Sequence, residues 1–344
     1  MSKKRHDCST SKRQEDVVPT VQDLYIYPIK SCGEIRLSNN SAKVTPIGFE
    51  HDRILQVVAK DANDEKDSSP LEPDFSYCTP REKRYEKLFH VKPTLMDGGS
   101  TLELSSKHVD KSFSLRLEEV LSRFGSLVTR PTFTTVLGGP STQLDDCGPN
   151  VAKWLEEATG IPGCRLVGIS ENFQRYVTVN PNQGEDIPSG LMPSVSLADE
   201  APFLLTTRSS LADLNKRLRD KGKQEVDMRR FRPNIVIGGL QPWEEDSLKR
   251  IRIGPVEFHV WQRCGRCTMT TIDRDSLDRG GEPLSTLSKF RERDNGQRNF
   301  GMHLIPARPW ELTDERISVG DEIEILEYDE ERRAEWMRLF GTSS

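Results

Sequence analysis

No stretch of this chain approaches the roughly 20 consecutive apolar residues needed to cross a bilayer, and its first 20 residues lack the apolar core of a signal peptide. A soluble, cytoplasmic protein without a transmembrane segment is therefore expected. Basic residues do not gather into a stripe: 49 Lys and Arg are spread among 54 Asp and Glu for a net charge of -5, so no nucleic-acid partner is expected. There is no Gly-x-Gly-x-x-Gly or Walker loop, which excludes the standard nucleotide sites, and no nucleophilic Ser/His/Asp order stands out among six histidines. Seven cysteines are too few, and odd in number, for a disulfide framework over 344 residues. Apolar residues are also scarce, at 34% with a mean hydropathy of -0.62, so part of the chain is expected to lie outside any packed core. No internal repeat is found.

What remains is a chain long enough for two domains of ordinary size. The first 19 residues carry no period of 2 or 3.6 and read as a disordered tail. Val21 to Ile29 alternates apolar and polar positions like a half-buried strand, with Lys30 and Ser31 at its end. Arg53 to Val58 reads as another strand, Asp61 to Pro73 as an acidic loop, and Asp97-Gly98-Gly99 as a turn between Lys87–Leu95 and Thr101–Leu104. Helices are expected at VAKWLEEAT, capped by Asn150 and stopped by Gly160, and after a Ser209 or Ser210 cap, where Leu211, Leu214 and Leu218 recur. Pro188 to Ser194 reads as loop. Strands return at Ile235–Ile237, Arg250–Ile253, Val256–Trp261 and Glu322–Leu326, and Glu330–Phe340 suits a terminal helix. The fold class is mixed α/β, mainly β.

Two constellations carry chemistry. Cys264-Gly-Arg-Cys267 fits half a zinc site, a dithiol centre, a single thiolate ligand, or two inert cysteines. Zinc needs two more ligands, and only His259 and His303 are near in sequence. A dithiol centre needs a helix after the first cysteine, but Thr268 to Ile272 is a β-branched run. The arginines Arg263 and Arg266 favour a thiolate. The second constellation places cations and hydroxyls at strand ends: Lys30, Ser31, Arg53, Thr79, Arg81, Arg232 and Asn234. Arginine's rigid fork suits phosphate.

These residues resemble a known family. LYIYPIKSC (24–32), Asp52-Arg53, CTPR (78–81), APFLLTTRSSLADLNKRL (201–218), FRPNIVIGG (231–239), CGRCTMTTID (264–273), EPLSTL (282–287), Phe300-Gly301 and SVGD (318–321) occur in the order found in MOSC-domain proteins. Within them the chain resembles the mitochondrial amidoxime-reducing components and their bacterial relatives. The resemblance implies two barrel-like β domains with a few peripheral helices and a molybdenum cofactor in the cleft between them. It implies a MOSC N-terminal β-barrel domain over 20–147, a connecting segment with a helix over 148–199, a MOSC domain over 200–328, and a helix or tail over 329–344.

It further implies that Cys267 is the thiolate on molybdenum. Lys30, Ser31, Arg53, Arg232 and Asn234 would hold the pterin and its phosphate, Ser209 and Ser210 would line the site, and Arg266 and Thr270 would hydrogen-bond the thiolate. The implied reaction reduces an N-hydroxylated substrate, an amidoxime or hydroxylamine, to N–H and water. Electrons would come from external proteins such as a b-type cytochrome and its flavin reductase. Mitochondrial association follows the resemblance, although the animal members' anchor is not matched by this hydrophilic tail. The alternative is a cofactor-binding or sulfur-carrier protein like the C-terminal part of molybdenum cofactor sulfurases. Pyridoxal phosphate binding is not expected, because no aminotransferase-like domain precedes the match.

Overall fold

The computed structural model describes residues 18–37, 41–60, 75–120, 126–129, 142–170, 173–176, 194–292 and 296–341. Residues 1–17 of the tail expected over 1–19, the loop at 61–73, and residues 188–193 of the loop expected over 188–194 lie outside them. The protein is mixed α/β and mainly β, with few helices. No helix of the described residues is long and apolar enough to cross a membrane.

The larger sheet has eight strands in the order Ile323–Tyr328, Leu248–Ile253, Val256–Gly265, Asn299–Pro306, Phe203–Thr207, Ile235–Gly238, Thr20–Ile26 and Ile35–Arg36. It is not a closed barrel, although an isolated bridge between Thr20 and Glu322 links its two ends, with the Ile323 N–H donating to Pro19 O at 2.8 Å. Asn299–Pro306 is buried at every position, as a strand covered on both faces must be. Within it Gly301 has φ +83°, and a Cβ there would lie 2.6 Å from the Leu205 carbonyl oxygen, so only glycine lets the two strands approach. Phe203 meets Phe49 and Phe258 edge-on, at centroid distances of 5.0 and 5.4 Å, in the middle of the core beneath.

The smaller sheet is built from Arg165–Gly168, Thr142–Asp146, Ser126–Thr129, Phe75–Tyr77, Leu55–Lys60 and Ile29–Lys30, and Leu55–Lys60 pairs with Arg165–Gly168 as well. The helix Pro149–Thr159 packs Trp154, Leu155 and Ala158 onto this second core. Gly160 stops that helix in the left-handed conformation, as expected. The expected Asn150 cap is instead the second helical residue: Pro149, whose fixed φ favours the first turn, starts the helix after Gly148.

The sequence order does not map onto these two sheets, the largest of four among the described residues. Thr20–Ile26 pairs antiparallel with Ile235–Gly238, with Leu24 opposite Ile235, and buries Val21, Leu24 and Ile26 in the core of the larger sheet. After Tyr27-Pro28 the chain joins the smaller sheet at Ile29–Lys30. The 20–147 segment therefore contributes to both sheets. This crossing sets Lys30 and Ser31 beside both.

Candidate functional site

A cavity of about 530 Å³ is lined by residues from both sheets. That volume suits a small-molecule or cofactor site. Lys30, Ser31, Arg53, Arg232, Asn234, Arg266 and Cys267 all line it. Seven of its lining side chains are Lys or Arg and two are Asp or Glu, in a protein whose overall charge is negative. The cavity therefore favours an anionic ligand.

Its backbone is strained. Ser31, Arg53 and Arg232 have φ of 71°, 51° and 55°, in the left-handed region that costs a non-glycine residue on the order of 1–3 kcal/mol. Each follows or ends a short element: Ser31 follows Ile29–Lys30, Arg53 precedes Leu55–Lys60, and Arg232 ends the 3-10 turn Met228–Phe231. Three strained residues converging on one cavity mark a place where surrounding contacts hold the chain against its preference.

Those contacts are specific. The Asn234 side chain is buried and fully used: Nδ2 donates to Tyr25 O and Asp52 Oδ2 at 3.3 and 3.0 Å, while Oδ1 accepts from Arg53 Nη1 and the Leu204 N–H, both at 3.2 Å. Arg53 also pairs with Asp52 and donates to Arg232 O at 3.1 Å. Asp52 Oδ1 accepts from the Tyr27 N–H at 2.7 Å. The Tyr27 ring lies 4.5 Å from the Arg53 guanidinium and 4.1 Å from that of Arg232, and burial pushes its phenol well up from its ordinary value. Arg232 donates to Cys32 O at 2.6 Å. Asn234 thus holds Arg53 in place, having no donor left for a ligand.

Lys30 is buried against Asp199 at 2.6 Å and faces the Tyr77 ring at 4.8 Å. Burial lowers its pKa to about 8 against the opposing pull of Asp199. Asp199 stays below the usual carboxylate range because Lys30, Arg81 and Arg175 surround it. Arg175 fixes that segment by donating to the carbonyls of Ser196, Ala198 and Asp199 at 2.8, 2.5 and 3.0 Å.

The two cysteines have different surroundings. Cys264 ends the strand Val256–Gly265, is buried, and its thiol is pushed up to about 11 by burial. Cys267 is half-buried in the cavity wall and precedes the 3-10 turn Thr268–Thr271, a single turn where a dithiol centre would have a helix. Arg81 is near enough to the Cys267 thiol to interact with it electrostatically, and it lies 3.8 Å from Asp199. Arg266 instead donates to Cys264 Sγ at 2.8 Å and to Phe231 O at 2.6 Å. Thr270 Oγ1 donates to the Cys267 carbonyl oxygen at 2.9 Å. Neither expected partner of the Cys267 sulfur is thus hydrogen-bonded to it; the reach of each side chain from the turn decides this.

Ser209 and Ser210 do not line the cavity. The helix cap is Thr207, whose side chain accepts from the Ser210 N–H at 3.1 Å, so both serines lie in the first turn of Arg208–Arg219. Ser210 is buried, donating to Glu245 Oε2 at 2.8 Å and accepting from the Trp243 N–H at 2.7 Å. Tyr77, Asp199 and Glu200, unforeseen from sequence, do line the cavity. They follow no motif of residue type and spacing. His303 lines it too, whereas the described residues contain no group of three or more His, Cys, Asp or Glu arranged to hold a metal ion.

The donor set fits a molybdenum cofactor in two respects. Arg266 Nε is buried without a hydrogen-bond partner, which leaves an N–H for an anionic oxygen, and the Cys267 thiol offers a soft ligand on the same cavity wall.

Residues 18–162 match the family model of the MOSC N-terminal beta barrel domain, and residues 193–324 match that of the MOSC domain. Molybdenum cofactor sulfurase of Danio rerio is 28% identical over 313 residues, which cover 88% of this chain and 34% of that protein. Mitochondrial amidoxime-reducing component 1 of Mus musculus is 28% identical over 325 residues, covering 92% of this chain and 84% of that protein. The Homo sapiens protein of that name is 29% identical over 323 residues, covering 90% and 83%. The chain thus spans about a third of the sulfurase and most of the amidoxime-reducing component.

Proposed function

We propose that this chain, which belongs to the MOSC-domain proteins, binds a molybdenum cofactor in the cavity between its sheets and reduces N-hydroxylated substrates there. One observation carries the reading: a half-buried thiol, Cys267, shares a basic cavity with three arginines and a lysine anchored by buried contacts. Bound there, the cofactor would supply the two-electron redox chemistry that no side chain of the chain provides. Arg232, Arg53 and Lys30 would neutralise its phosphate, Arg266 Nε would donate to an anionic oxygen, and Cys267 would be the protein's ligand to the metal. Asn234 and Asp52 would set Arg53, and Arg81 would orient the Cys267 sulfur. Electrons would arrive from separate proteins such as a b-type cytochrome with its flavin reductase.

The similarity to molybdenum cofactor sulfurase favours a second reading, in which the same cavity holds the cofactor for sulfur transfer or delivery without substrate turnover. Molybdenum and pterin are to be measured in the purified protein, followed by reduction of benzamidoxime with dithionite-reduced methyl viologen. Bound cofactor with amidine formation supports the reductase. Bound cofactor without product selects the second reading, and absence of both metal and pterin after expression in a cofactor-producing host overturns both.

A further inference from the structure

Two polar side chains on the cavity wall, Glu200 and His303, are used neither for the phosphate nor for the thiol, and Gln262 lies beside them. Glu200 precedes the strand Phe203–Thr207, Gln262 lies on Val256–Gly265, and His303 lies opposite it on Asn299–Pro306. His303 Nδ1 stands 3.4 Å from both Glu200 Oε2 and Gln262 Nε2, and Gln262 Nε2 is itself 3.4 Å from Glu200 Oε2. His303 is buried, with a side chain 8% exposed, whereas that of Glu200 is 36% exposed. The pair therefore leads from solvent into the cavity.

The triangle accommodates both charge states of the ring. A neutral imidazole accepts at Nδ1 from the Gln262 amide; a protonated one donates from Nδ1 to the Glu200 carboxylate. The charged groups facing His303 are Glu200 and Asp199, which favour its cation, and Arg266 and Arg53, which oppose it. Burial is the largest influence and, with the two arginines, holds the imidazole below its ordinary value.

We propose that Glu200 and His303 form a proton relay for the reduction, carrying protons from solvent to the substrate oxygen or nitrogen; this rests on the reductase reading. The reaction breaks one N–O bond, takes two electrons from an external one-electron carrier and takes two protons. One proton ends on nitrogen and the other leaves on oxygen as water. His303 gives up one of these protons and regains it through Glu200.

The test uses the cofactor-loaded protein, benzamidoxime and dithionite-reduced methyl viologen. His303→Asn is expected to lower kcat about a hundredfold with KM, molybdenum and pterin unchanged, and to remove one limb of the pH–rate profile. In the purified wild-type protein the NMR titration midpoint of the His303 ring should lie below 6.5, the ordinary histidine value. Glu200→Gln should lower that midpoint further, because the carboxylate that favours the cation is lost. A kcat within twofold of wild type in His303→Asn, with the profile unchanged, overturns the relay and leaves the reductase standing. If His303→Asn does not fold, Glu200→Gln at its half-exposed position carries the test, and an unchanged kcat and ring midpoint there overturn the relay. A loaded wild-type protein that forms no amidine overturns the reductase reading and the relay with it.

Discussion

Arg266 donates to the sulfur of Cys264 at 2.8 Å, although its neighbour in sequence is Cys267. The cation on Cys267 comes from the other sheet's side of the cavity, in Arg81, which follows the strand Phe75–Tyr77. The two thiols of one short motif are thereby given to different arginines, and their substitutions should have different effects.

Cys267→Ala is expected to abolish benzamidoxime reduction and to change the electron paramagnetic resonance spectrum of the metal while pterin remains bound. Cys264→Ala should keep activity and lose on the order of 1 kcal/mol of stability, since it removes a buried sulfur and one partner of Arg266. Equal loss of activity from both substitutions would instead indicate a dithiol pair.

Arg232 has a double role that two substitutions separate. Its guanidinium ties down the Cys32 carbonyl and covers Tyr27, so Arg232→Ala should lower both pterin content and melting temperature. Arg232→Gly removes the same contacts but relieves the left-handed backbone at φ 55°, and should be more stable than the alanine variant by roughly 1 kcal/mol. Calorimetry of the pair, with pterin assayed alongside, checks this; equal melting temperatures would mean that the backbone there stores no strain.

Lys30 makes anion binding depend on pH. Its folded-state pKa of about 8 lies below the ordinary 10.5, so its charge is lost as pH rises through about 8, and affinity for inorganic phosphate should fall over that range. The sign for stability is opposite. Above pH 8 the unfolded chain holds a proton that the folded one has lost, so the cost of burying this ammonium is relieved between about 8 and 10.5. Titration calorimetry of wild type and Lys30→Met should show the inflection in the wild type alone.

Glu245 is fully buried and pushed up to about 7 by burial and by the neighbouring Asp246. The stability it contributes as a neutral acid is complete below the ordinary 4.5 and is lost as pH rises through about 7. Glu245→Gln keeps the shape and cannot ionise. It should melt above wild type at pH 8 and gain no such advantage at pH 5; a constant difference at the two pH values would show that Glu245 does not titrate there.

Much of the local structure was legible from sequence. Ile253 and Val256 flank a Gly-Pro turn and pair with each other, and Glu330–Phe340 is the terminal helix. Apolar alternation at Val21, Leu24 and Ile26 showed a strand but carried no information on its partner, since Ile235 lies more than 200 residues away. The helix cap was misplaced for a related reason: Thr207, Ser209 and Ser210 are chemically alike, and only the backbone turn selects which oxygen meets the free N–H groups. At the site, strand-end cations and the Cys-x-x-Cys were visible because few residue types do their chemistry. Asp199, by contrast, is an ordinary aspartate until the fold brings Lys30 and Arg81 to it.

The pairing of Thr20–Ile26 with Ile235–Gly238 bears on how the protein is made. On a ribosome the opening strand emerges long before its partner exists, so Val21, Leu24 and Ile26 must wait with their apolar faces uncovered while the rest of the chain is synthesised. A fragment ending at residue 162 would keep those residues exposed, and one beginning at residue 193 would lack the strand that lies between Ile235–Gly238 and Ile35–Arg36. Expressed separately, the two segments should aggregate; mixed during refolding, they should recover the larger sheet by strand exchange between pieces.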